Sequence, residues 1–344
     1  MGTRMILTIL TKNKSLIFYF CKNILRWVNY RLLSEYISGE IMNNSEVWQV
    51  SVPLADLRRE PTERTSSITE RDLLQETQCL YGERLIVQEE QGAWVRVTAP
   101  EQVKLSPLGT WEGYPGWVQK KHVCENVGAK TSNLIVKAPW ASINTKSGAT
   151  IELPMSTRLH SYGTNGNNYE IILSNGEKSS VKGGDVHHIN DLVRQNDIER
   201  RAAVMQAVRY CLGAPYFWGG RGVYYDDTET KSSVDCSGLV NLAYNSCGIS
   251  VPRDAHDQFL WSKRIAAEKL KSGDLVFLSE SNRPGYVSHV MIYEGEGILI
   301  EATGDSNNVH RISAEERFGC KLEKLSRGCI KGNWNIFFGS FLFL

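Results

Sequence analysis

The first half of this chain writes one strand-and-turn pattern twice, and that repetition restricts what it can fold into. Glu83 to Gln88 alternates apolar and polar residues, Gln91-Gly92 makes a turn, and Trp94-Val95-Arg96-Val97 reads as the return strand. A second turn, Gly113-Tyr114-Pro115-Gly116, leads into Trp117-Val118. Thr157-Arg158-Leu159, the turn Asn165-Gly166, the strand Tyr169 to Leu173 and the turn Asn175-Gly176 then echo the run that starts at Glu83-Arg84-Leu85. Such self-similarity predicts two copies of one small β-barrel, over residues 47–126 and 130–190, with Trp94 and Trp117 as core aromatics of the first.

The texture changes near Asp191. Val204, Ala207, Val208 and Cys211 recur at helical spacing, with Arg200 and Arg201 outward, and Gly213 and Pro215 close the helix. A second helix from Cys236 to Cys247 ends at Gly248, a short one spans Asp254 to Lys263, and strands follow. Helices succeeded by strands predict an α+β domain over residues 197–335. At 344 residues the chain can bury several separate cores.

Hydrophobic content of 42% and a net charge of +1 carry no electrostatic footprint for nucleic acid. The eight cysteines form no CxxC pair, no HExxH is present, and His187-His188 has no other ligand set nearby. No metal and no organic cofactor is therefore expected, and unpaired thiols fit a reducing compartment. Residues 1–46 stand apart. Met5–Leu10 and Leu16–Phe20 are apolar but broken by Lys12 and Lys14, which is too interrupted for a spanning helix, and no small-residue cleavage site follows. The stretch reads as an extension from a misplaced start codon, with Met42 as the alternative start, or as a basic amphipathic anchor.

The segment richest in chemistry is Val234-Asp235-Cys236-Ser237-Gly238-Leu239-Val240. Leu239, Val240, Ala243 and Cys247 share one helical stripe, so Cys236 falls in the first turn, where the positive end of the helix favours a thiolate. Ser288 to Tyr293 and Ile298 to Thr303 read as a hairpin across Glu294-Gly295-Glu296. A three-residue loop there would put His289 directly opposite Glu301, on one side of the sheet, with Cβ atoms roughly 5 Å apart. That carboxylate can accept an imidazole N–H and favour its protonated form. His310, in Asn307-Asn308-Val309-His310, reads as a loop residue and is the rival for this role, while His256 reads as a helix-surface residue.

Pro215-Tyr216-Phe217-Trp218-Gly219-Gly220, the Cys236 segment, Leu270-Lys271-Ser272-Gly273-Asp274-Leu275-Val276-Phe277 and Val287-Ser288-His289-Val290-Met291-Ile292-Tyr293 occur in that order. Together they resemble the NlpC family of bacterial cell-wall cysteine peptidases over about residues 197–335. The resemblance implies a papain-like fold in which Cys236 is the nucleophile, His289 the general base and Tyr216 a neighbour of the thiolate, with Asp235 and Ser237 lining the substrate groove. The third member in that family is most often another His, so Glu301 departs from the common pattern while keeping the orienting role. The two repeats resemble bacterial SH3-like domains. Val251-Pro252-Arg253-Asp254-Ala255 resembles the PRDA segment of members that release L-Ala-γ-D-Glu dipeptides. By that resemblance Asp254, Glu83 and Tyr114 would bind the free α-amine of the substrate, although on sequence alone Asp254 is equally a helix N-cap.

The expectation is thus a papain-like hydrolase behind two SH3-like barrels. It would cleave the γ-D-glutamyl–diamino-acid bond of murein stem peptides in the cytoplasm, with an exported enzyme as the alternative. Two other expectations differ in class: a wall-binding protein with an inert third domain, and an amidase or acyltransferase of the same fold.

Overall fold

The computed structural model describes residues 46–64, 71–125, 131–146, 148–226, 231–325 and 329–342; the extension 1–45 lies outside the described residues. The first module contains β1 (Val47–Val50), β2 (Leu54–Arg58), β3 (Gln75–Leu80), β4 (Arg84–Gln91), β5 (Trp94–Leu105), β6 (Trp111–Gln119) and β7 (Val123–Glu125). Their sheet order is β3-β2-β6-β5-β4-β1-β7. The second contains β8 (Leu134–Val136), β9 (Trp140–Asn144), β10 (Thr150–Pro154), β11 (Arg158–Asn165), β12 (Asn168–Ile172), β13 (Lys178–Lys182) and β14 (Val186–His188). Its main sheet runs β13-β12-β11-β8-β14, with β9 and β10 as a separate hairpin.

The repetition in the sequence is therefore a repetition of topology: β6-β5-β4-β1-β7 recurs strand for strand as β13-β12-β11-β8-β14. Each copy also makes one 3-10 turn before its last strand, at Lys120–His122 and Gly183–Asp185. Small β-branched residues, not the tryptophans, fill the first core. Val95, Val97 and Val118 point inward, while Trp94 and Trp117 stand at alternate positions and stay only half-buried.

The third unit begins with α1 (Ile189–Arg194) and α2 (Asp197–Arg209), separated at Asn196, whose side chain and Glu199 form a capping box. Arg201 was expected outward. It is instead buried, with Asp197 and Asp274 at 2.9 Å and the Leu342 carbonyl at 2.7 Å, because the charge has partners inside. β15 (Arg221–Asp226) and β16 (Lys231–Val234) form a ribbon leading into α3 (Cys236–Ser246), after which Gly248 turns left-handed at φ 73°. Next come α4 (Ala255–Trp261), β17 (Lys263–Arg264), β18 (Leu275–Glu280), β19 (Val287–Gly295), β20 (Ile298–Thr303), β21 (Asn308–Ser313), α5 (Ala314–Phe318), β22 (Cys329–Lys331) and β23 (Trp334–Ser340). The sheet order is β17-β23-β18-β19-β20-β21, with β22 also on β23. β18 is buried on both faces: Leu275 and Phe277 pack with α2 and α3, Val276 and Leu278 with α5 and the chain beyond it. That explains an unbroken apolar run where a one-sided strand would alternate.

The three units close on one another. The long β5–β6 hairpin reaches α4, where Leu105 N–H donates to Asp257 at 2.9 Å, Arg253 N–H donates to the Val103 carbonyl at 3.1 Å, and Trp111 stands edge-on to Trp261 at 4.5 Å. From the second module, Ser156 donates to the Leu242 carbonyl of α3 at 2.7 Å. No helix among the described residues is long and apolar enough to cross a membrane.

Candidate active site

Cys236 opens α3, with Asp235 at the N-cap accepting the Gly238 N–H at 2.6 Å. Leu239, Val240, Ala243 and Cys247 face the core, which turns the first turn of the helix toward the loop before it. Gly238 lies so close to that loop that a Cβ would stand 2.1 Å from the Gly220 carbonyl oxygen. Any side chain there would push the helix start, and the thiol with it, off the loop. Tyr216 is half-buried beside Cys236; burial first, then the neighbouring Cys236 and Asp235, push its phenol pKa upward.

His289 on β19 and Glu301 on β20 meet at 2.6 Å, imidazole Nε2 to carboxylate Oε2. Glu301 engages Nε2, so Nδ1 is the ring nitrogen available to Cys236, a neighbour that helps raise the imidazole pKa. The register differs from the expected one. The turn residues Glu296 (φ 52°) and Gly297 (φ 78°) make a two-residue loop, and a bulge follows Tyr293, so Tyr293 pairs with Leu299 and Ile292 with Ile300. Extending that pairing sets Glu301 beside Met291, diagonal to His289. The shift is by two residues, so both side chains keep the same face, and a diagonal pair remains within reach of long side chains.

Two further groups hold Glu301. His310 is not in a loop. It lies on β21 directly opposite Glu301, with Nε2 3.6 Å from Oε1, and Arg317 of α5 brings Nε to 3.5 Å from the same oxygen. Sequence reading missed Arg317, since nothing local ties a residue sixteen positions downstream of Glu301 to this strand. Burial of Glu301 alone would raise its carboxyl; His289, Arg317 and His310 outweigh it and hold the pKa below the usual value. For His289 burial works downward, yet the neighbouring Cys236 and Glu301 outweigh it and lift it to about 9. The arrangement suits a protonated imidazole between Glu301 and Cys236.

Asp235 and Ser237 do not line an open groove. They are 8% and 6% exposed. Asp235 accepts from both terminal nitrogens of Arg253, at 3.1 and 2.9 Å, and from Gly219 N–H at 3.0 Å. Ser237 accepts from Arg253 at 2.9 Å. Arg253 is 1% exposed and also donates to Thr77 of the first module at 2.8 Å. This buried ion pair fastens the start of α3 to the module. Arg253→Met should lower stability by about 3 to 5 kcal/mol, because Asp235 is left charged and buried without its cation. Urea unfolding of the two proteins checks this, and a loss below about 1 kcal/mol contradicts it. His256, expected on a helix surface, accepts the Val287 N–H at 3.2 Å and stacks on Tyr286 at 4.6 Å, tying α4 to the strand of His289.

Of the three residues expected to bind an amine, two come together. Tyr114 Oη lies 3.3 Å from both oxygens of Asp254. Asp254 occupies the N-cap position of α4, yet its side chain makes no capping bond, which separates it from a merely structural Asp. Glu83 is elsewhere: its carboxylate is taken by Arg221 at 2.5 Å and Gln102 at 3.0 Å. Glu76 of β3 fills the place instead, 3.2 Å from the Tyr114 hydroxyl. One phenol proton cannot serve three carboxylate oxygens, so the cluster has acceptor capacity for a further donor. Among the described residues, no group of three or more His, Cys, Asp or Glu is arranged to hold a metal ion.

Comparison with known proteins matches residues 213–321 to the NlpC/P60 family. A gamma-D-glutamyl-L-lysine dipeptidyl-peptidase of Bacillus cereus is 30% identical over 246 residues, 69% of this chain and 70% of the relative. The chain belongs to the NlpC/P60 family. A Bacillus subtilis protein of the same name is 28% identical over 250 residues, 70% of this chain and 76% of that one. A crystal structure of an NlpC/P60 family protein from Bacillus cereus matches with a TM-score of 0.69 at 24% identity, covering 86% of this chain and 99% of the other. The NlpC/P60 segment contains Cys236, His289, Glu301, Asp254 and Arg317. Glu76 and Tyr114 lie outside it, so the acidic cluster is shared between the NlpC/P60 unit and the first module.

Proposed function

We propose that this protein is a cysteine peptidase that hydrolyses the γ-D-glutamyl–diamino-acid bond of murein stem peptides bearing a free N-terminal L-Ala. The observation that carries the reading is the line Cys236–His289–Glu301 beside an acidic, amine-accepting cluster. The names of the Bacillus relatives support the substrate class. In this reading the Cys236 thiolate attacks the γ-carbonyl carbon, and the backbone N–H of Cys236, a first-turn donor without an intrahelical acceptor, holds the oxyanion. His289 gives its Nδ1 proton to the departing amine as the C–N bond breaks, leaving a thioester. The neutral imidazole then takes a proton from water, hydroxide adds to the thioester carbon, the C–S bond breaks to restore thiolate and imidazolium, and the γ-carboxylic acid leaves and gives its proton to solvent. The two repeats act as SH3-like domains; the first walls one end of the substrate cleft, so that this γ-D-glutamyl-diamino-acid endopeptidase releases a dipeptide bearing a free amine. Seven free cysteines among the described residues suit a cytoplasmic role in recycling murein fragments.

Turnover of free and N-acetylated L-Ala-γ-D-Glu-diaminopimelate tests the proposal. Acetylation removes an ammonium held by Glu76 and Asp254, and each charge-assisted bond of this kind contributes about 1.5 to 3 kcal/mol, roughly ten- to a hundredfold in kcat/KM. Glu76→Gln and Asp254→Asn should each erase much of the preference for the free peptide, while Glu83→Gln should act mainly on stability through Arg221. Equal rates on free and blocked peptides would overturn the reading.

A further inference from the structure

The acidic cluster is not empty of cations. Asp235 is paired with Arg253 at 2.9 Å and Glu76 with Arg59 at 2.6 Å, both at hydrogen-bond distance. The remaining carboxylate, Asp254, faces Lys104 of β5 at 4.0 Å, beyond that distance. The Lys104 ammonium also sits 4.2 Å from the centre of the Tyr114 ring, whose hydroxyl joins Asp254 and Glu76. Lys104 is 22% and Asp254 38% exposed, so the pair meets solvent at the rim of the cluster. Among the described residues, the cations other than Lys104, Arg253 and Arg59, are thus committed by hydrogen bonds, to the neighbouring Asp235 and to Glu76.

We propose that Lys104 is the resident counter-ion of the amine subsite, a specificity-determining residue that competes with the substrate ammonium for Asp254 and limits how tightly any amine-bearing ligand is held. This rests on the reading of the cluster as the amine subsite. Of the three, Lys104 can yield without breaking a hydrogen bond, and its four-carbon stem lets the ammonium swing from Asp254 out to solvent when another cation arrives. The released dipeptide carries the same ammonium as the substrate. A built-in competitor therefore weakens the product's hold as well and keeps the cleft from filling with it.

The test is calorimetric and needs no turnover. Cys236→Ala is titrated with the free tripeptide, with its N-acetyl form and with L-Ala-γ-D-Glu, and the titrations are repeated in Cys236→Ala/Lys104→Met. Methionine keeps an apolar stem over Tyr114 and removes the charge. At a partly exposed site, loss of one like charge about 5 Å from the ligand should tighten binding of both amine-bearing ligands about three- to tenfold and leave the acetylated peptide unmoved. Lys104→Gln, with a thermal melt on each protein, provides a second neutral variant should Lys104→Met fold poorly. Unchanged or weaker binding of the free peptides in the neutral variants overturns the proposal. If Cys236→Ala itself binds free and acetylated tripeptide alike, the amine subsite falls, and the role of Lys104 with it.

Discussion

Cys236→Ala should reduce turnover by about ten-thousandfold or more, as removal of a covalent nucleophile does when no other group can form the acyl intermediate. The fold should be untouched. The thiol lies at the first position of α3, only partly buried, and the helix start is held by the Asp235 cap and the Arg253 pair rather than by sulfur. A second readout is independent of activity. Burial lowers the pKa of His289, while Cys236 and Glu301 together raise it to about 9. Without the Cys236 side chain the imidazolium loses one of the two neighbours that raise it, so its pKa, followed by NMR of labelled histidine, should fall. In the unmodified protein iodoacetamide near neutral pH should alkylate Cys236 ahead of the buried Cys79, Cys211 and Cys247, whose pKa values burial pushes up. Activity above a few per cent in Cys236→Ala, or a His289 titration that does not move, would remove Cys236 from the chemistry.

What the sequence made legible was local. The stripe Leu239, Val240, Ala243 and Cys247, with Gly248 beyond it, specified α3 and the place of Cys236, because helix periodicity and capping act within a few residues. The doubled turn pattern specified the doubled sheet order for the same reason. The face shared by His289 and Glu301 survived an error in the loop, since a slip of two residues leaves strand parity intact. What failed was non-local. Glu83 sits next to Gly82 in a suggestive motif, yet Arg221, far along the chain, captures it, and Glu76 reaches Tyr114 instead. Arg201 and Asp235 look like surface charges in any window of the sequence, and only tertiary packing supplies the partners that bury them. Buried ion pairs leave no periodic signature, which is why the polar framework of the site was harder to read than its apolar one.

Glu301→Gln should cut kcat/KM by roughly ten- to a thousandfold, the usual scale of acid–base contributions. Glu301 is 3% exposed, with Oε2 given to His289 at 2.6 Å and Oε1 facing Arg317 at 3.5 Å and His310 at 3.6 Å. A glutamine has one acceptor in place of two and no charge. If its oxygen turns to His289, its NH2 faces Arg317 and His310; if it turns the other way, His289 meets a donor. Either orientation destabilises the imidazolium. The sign for pH follows from His289 being raised to about 9. The paired imidazolium contributes stability that is fully present below the unfolded value near 6.5 and is lost as pH rises through about 9. The alkaline limb of kcat/KM should lie in the same region, and Glu301→Gln should move it to lower pH while shrinking that stability increment. His310→Ala removes a group beyond hydrogen-bond distance and leaves Arg317 and His289 on the carboxylate, so its loss should stay below about tenfold with the alkaline limb nearly in place. Should His310→Ala prove the more damaging of the two, His310 and not Glu301 orients the imidazole. The short Nε2–Oε2 contact would then be a resting arrangement that substrate binding breaks.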